Sequence, residues 1–93
     1  MRIIGTIDHP VLKITIFKMD NRISVKFEND SYEQTYKLGM DERFSDPEAI
    51  KRWVSPDFLE AIQQIMAQMH KSRLEATSRA FPADTAAEFE TII

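Results

Sequence analysis

The chain has 93 residues, no cysteine, two glycines and a net charge of −3. That length holds one domain with a modest core, and the missing thiols exclude a disulfide framework and thiolate chemistry. Residues 1–40 carry six Lys/Arg against five Asp/Glu and residues 41–93 carry six against ten, so the halves stand at +1 and −4 and lack the field that drives generic phosphate binding.

Arg2 to Ile7 reads as a first strand, joined to the next through Asp8-His9-Pro10. The first eight residues contain no long apolar stretch and no small-residue cleavage site, so no signal peptide is expected in them. No apolar run approaches the roughly 20 residues needed to span a bilayer. The expectation is a cytoplasmic protein without a membrane segment.

In the second strand, over about 11–19, Leu12, Ile14 and Ile16 alternate with Lys13, Thr15 and Phe17. In the third, over about 22–28, Ile23, Val25 and Phe27 alternate with polar residues, the period of a half-buried strand. A two-residue type I′ turn at Asp20-Asn21 opposes Met19 to Arg22, Ile16 to Val25 and Ile14 to Phe27, which lands the apolar residues on one face. A second such turn at Asn29-Asp30 leads into a fourth strand over about 32–38. It opposes Phe27 to Tyr32, Lys26 to Glu33, Ser24 to Thr35 and Ile23 to Tyr36. The alternative pairing, which opposes Glu28 to Glu33 and Phe27 to Gln34, is disfavoured because it sets like charges and an aromatic–amide pair across the strands.

After Gly39 the chemistry changes. Ser45-Asp46-Pro47-Glu48 is a helix start, and the short helix it opens runs over about 47–54. Ser55-Pro56-Asp57 restarts with the same signals, opening a long helix over about 56–80. Its apolar stripe is Phe58, Ile62, Ile65, Met66 and Met69, and it thins beyond Met69, so the distal half overhangs the sheet. Residues 1–82 therefore form a single α+β domain in two layers, an antiparallel meander of three to four strands with both helices on one face. Residues 83–93 are a C-terminal tail, read as a short helix or an added strand.

Little catalytic chemistry can be drawn from these residues. His9 decorates a turn and His70 is a partly buried helix histidine, and neither has a second ligand at metal-binding spacing. Asp41, Glu42, Asp46 and Glu48 crowd the sheet-to-helix connection, where carboxylates favour helix N-termini, and their spacing matches no calcium loop. Two distant glycines build no phosphate loop, and no serine sits in a nucleophile elbow. No catalytic residue, cofactor or metal is assigned.

The sheet's outer face is the one surface that carries a functional reading. The alternation leaves Lys13, Thr15, Phe17, Met19, Arg22, Lys26 and Lys37 pointing away from the helices, with Ser24, Glu33 and Thr35 among them. Phe17 and Met19 are then in water beside basic residues, and exposed large apolar groups on a sheet mark contact surfaces. The expectation is a non-enzymatic protein-interaction domain. It self-associates, as a homodimer, through this face, the overhanging helix, or both. Two alternatives stand beside it. In one, the C-terminal segment, with Phe89, Ile92 and Ile93, folds back over this face. In the other, single-stranded nucleic acid stacks its bases on Phe17, which one aromatic and a negative net charge support poorly.

Overall fold

The computed structural model describes residues 1–82. Strands β1 (Arg2–Ile7), β2 (Lys13–Met19), β3 (Arg22–Glu28) and β4 (Glu33–Gly39) form one antiparallel sheet in the order β1-β2-β3-β4. A 3-10 turn at Glu42–Phe44 leads to helix α1 (Pro47–Trp53) and then helix α2 (Pro56–Ala80). The fold is the two-layer α+β arrangement expected, and the readings for residues 83–93 lie outside the described residues. No helix among the described residues is long and apolar enough to cross a membrane.

Both helices begin where the cap chemistry says they should. The Asp46 carboxylate accepts from the Glu48 amide and the Ser55 hydroxyl accepts from the Phe58 amide, each satisfying a donor that has no partner within its helix. Pro47 and Pro56 stand in the first turns, where a missing N–H costs nothing.

The β2–β3 register is the expected one, with Ile14 opposite Phe27, Ile16 opposite Val25 and Met19 opposite Arg22. Its turn is not type I′, however. Asp20 adopts a positive φ of 56° and is the one described non-glycine residue to do so, whereas type I′ needs positive φ at Asn21 as well.

The β3–β4 register differs from the expectation, and the disfavoured pairing is the one that forms. Phe27 stands opposite Gln34, Lys26 opposite Thr35, Val25 opposite Tyr36 and Glu28 opposite Glu33. The cause lies in the turn. The Asn29 side-chain oxygen accepts from the Ser31 amide (2.9 Å) and the Tyr32 amide (2.8 Å), and the Asn29 amide donates to the Tyr32 carbonyl (3.0 Å). Asn29 thus initiates the turn and moves its tip to Asp30-Ser31. The like-charge pair is tolerated because the Lys26 ammonium lies 3.5 Å from Glu28 and 3.9 Å from Glu33. Gln34 is tolerated because its amide donates to the Ile62 carbonyl (3.0 Å) and its oxygen accepts from the Tyr36 hydroxyl (2.7 Å). That polar link fastens β4 to α2.

The core lies between the sheet's inner face and the helices. Ile14, Val25, Phe27, Ile50 and Ile62 are essentially inaccessible, each contributing about 1.5–3 kcal/mol by burial. Phe27 meets Tyr36 and Phe58 edge-on at centroid separations of 5.8 and 5.5 Å, with Trp53 tilted at 6.4 Å. On α2 the buried residues are Ile62 and Met66, flanked by half-buried Phe58, Leu59 and Met69. Ile65, expected in this stripe, is exposed. At about 100° per residue the face centres between Ile62 and Met66, which turns Ile65 about 80° away and brings Leu59 within about 40°. Beyond His70 the helix contains no buried residue.

Candidate protein-contact surface

Residues opposed in an antiparallel sheet share a face, so the registers fix the composition of the outer surface. Its rungs, from one end of the sheet to the other, are Lys13 with Glu28 and Glu33; Thr15 with Thr6, Lys26 and Thr35; Phe17 with Ile3, Ser24 and Lys37; and Met19 with Arg22. All seven residues assigned to the surface from the sequence lie on it, but they fall into two groups.

Phe17, Met19, Arg22 and Lys37 gather at one end, where with Met1 and Ser24 they line a hollow of about 250 Å³. Lys13, Thr15 and Lys26 belong to the other half. Thr15, though it points to the outer side, is buried, being a small side chain in an inner strand between Lys13 and Phe17. Lys26 is engaged on three sides, by the carboxylates of Glu28 and Glu33 and by the Phe17 ring, whose centroid its ammonium approaches to 5.3 Å. Phe17 is therefore half-buried and not bare in water as expected, because a cation sits on its ring.

The apolar groups that do face water are others. Met1, Ile3 and Met19 are 83 %, 61 % and 53 % exposed. Ile3 joins them because β1 bulges between Ile3 and Gly5, which pair with Phe17 and Ile16 in succession. The extra residue, Ile4, turns Ile3 to the outer face. Regular alternation from Ile7 would have put Ile3 on the helix side, so plain periodicity gave no means of finding it.

The two histidines have structural duties that the sequence reading did not assign. His9 Nδ1 accepts from the amides of Val11 (3.2 Å) and Leu12 (3.1 Å) and so shapes the β1–β2 connection. His70 is exposed, not partly buried, and its Nδ1 lies 2.8 Å from the Tyr32 hydroxyl. At the sheet-to-helix connection, Asp41 caps the 3-10 turn and binds the Arg43 guanidinium through both carboxylate oxygens. Hydrogen bonds from the Arg43 side chain, then from its amide, hold the Asp41 carboxyl down at about 2. Among the described residues no group of three or more His, Cys, Asp or Glu could hold a metal ion.

Comparison with family models finds no match for this chain, and comparison with curated proteins and with solved structures finds none either. A functional reading therefore rests on the surface itself.

Proposed function

We propose that this chain is a small non-enzymatic protein-interaction domain that self-associates through the outer sheet face, with Phe17 and Met19 at the centre of the contact. The observation that carries the reading is the cluster of Met1, Ile3 and Met19, three large apolar side chains in water around half-buried Phe17. Scattered apolar residues on a surface need no explanation, but a contiguous group rimmed by polar residues is the mark of a contact. The rim here is Arg22, Ser24 and Lys37.

Single-stranded nucleic acid on the same face is the weaker reading. A base stacking on Phe17 would have to displace Lys26 from the ring, and Lys26 is already neutralised by two carboxylates. Among the described residues that leaves Lys13, Arg22 and Lys37 as the face's cations outside any ion pair, fewer than a groove that tracks a phosphate backbone needs. Light scattering on the wild type and on Met19→Glu tests the self-association, and a labelled oligonucleotide titrated at low salt tests the alternative.

A further inference from the structure

We propose a second contact between copies of this chain, separate from the outer face: β4 of one copy pairs antiparallel with β4 of another about a two-fold axis at Thr35. Among the described residues β4 ends the sheet, with no strand on its far side. Its segment Glu33-Gln34-Thr35-Tyr36-Lys37 is self-complementary in charge. Centred on Thr35, antiparallel pairing sets Glu33 opposite Lys37 of the second copy and Lys37 opposite its Glu33. Thr35 meets Thr35, and Gln34 meets Tyr36. Opposite-charge and Thr–Thr pairs are among the favourable cross-strand combinations, and both charge pairs recur through the symmetry.

The faces agree as well. β3 pairs with β4 in one unbroken register from Ser24–Lys37 to Glu28–Glu33, so Glu33, Thr35 and Lys37 share the outer side and Gln34 and Tyr36 the inner. A two-fold axis normal to the sheet keeps those sides in common and yields a continuous eight-stranded sheet. The opposite edge offers no such template. The bulge in β1 puts Ile3 and Ile7 on different faces, which breaks any long pairing there. On the helix side, Tyr36, Trp53 and Phe58 stay half-buried around centroid separations of 4.7–5.9 Å, so an added strand has apolar groups to cover. Both outer faces lie on the same side of such a dimer and remain open, so this contact does not rest on the reading above.

The test is sedimentation velocity on the full chain in a Met19→Glu background, which removes the outer-face contact. Glu33→Lys and Lys37→Glu each turn two attractive pairs into two repulsive ones, and each should weaken the remaining dimer by about tenfold or more. An equimolar mixture of the two variants should form a heterodimer, and Glu33→Lys/Lys37→Glu should restore the homodimer. Circular dichroism melts confirm that each variant is folded. A monomeric Met19→Glu background at millimolar concentration, or no pairing preference among the charge variants, overturns the β4 contact. The outer-face reading fails on a different result, a wild type and Met19→Glu that sediment alike. Outward amides of β4 that resist exchange even in the monomer would also overturn the proposal, because the edge would then be occupied.

Discussion

The Lys26 ammonium lies 5.3 Å from the centroid of the Phe17 ring while also meeting Glu28 and Glu33, so a single cation joins the sheet's aromatic group to its acidic corner. Lys26 lets two glutamates face each other across β3 and β4, and it removes Phe17 from the bare apolar surface. The open part of the face therefore shifts to Met1, Ile3 and Met19. Lys26→Ala should unmask Phe17 and leave Glu28 and Glu33 opposed without a cation. The expected result is an exposed-site loss of up to about 1 kcal/mol, read by urea denaturation, together with stronger dye binding to the outer face.

Gln34 and Tyr36 form the polar link between β4 and α2. Gln34→Leu leaves the Tyr36 hydroxyl without its acceptor in a part-buried site and takes the second donor from the Ile62 carbonyl, which stays within the hydrogen-bond ladder of α2. It should cost about 1–3 kcal/mol by chemical denaturation, although leucine is the more apolar residue. A stabilised Gln34→Leu variant would show that the link contributes nothing.

The Asp20 backbone sits at φ 56°, where a side chain branched at Cβ is strained. Asp20→Gly should leave the melting temperature nearly unchanged, whereas Asp20→Val should destabilise by about 1–2 kcal/mol. Equal stabilities for the two variants would mean that the turn relaxes to another conformation.

Asp41 has its carboxyl at about 2, below the ordinary 3.8. Because the folded value is the depressed one, its contribution is fully present above about pH 4 and fades as pH falls toward 2. A carboxyl-detected NMR titration should find Asp41 still ionised at pH 3, and Arg43→Gln should raise it toward the usual range, the backbone amide at position 43 still holding it somewhat below. An Asp41 that titrates normally in the wild type would break that assignment.

Most of the fold was legible because two signals agreed at each point. Alternation and turn residues gave the β2–β3 pairing, and cap residues with prolines gave both helix starts. The β3–β4 register was misread because pair preferences were weighed without the turn's own hydrogen bonds. Asn29 capturing two amides outweighs a few tenths of a kcal/mol in side-chain pairing, and Lys26 and Gln34 remove the penalties that seemed to forbid the alternative. The surface was legible in part. Met19, Arg22 and Lys37 follow from strand parity, whereas Ile3 depends on a bulge that leaves no composition signal, and the cover over Phe17 depends on which carboxylates position Lys26.

The central claim, that the outer sheet face is a contact between copies, is tested most directly by multi-angle light scattering of the wild type against Met19→Glu over micromolar to millimolar concentration. The account predicts a wild-type mass rising above that of the 10.8 kDa monomer, with Met19→Glu displaced toward the monomer and its circular dichroism spectrum still that of the folded chain. A wild type that stays monomeric throughout, or a Met19→Glu variant that associates as strongly as the wild type, contradicts it.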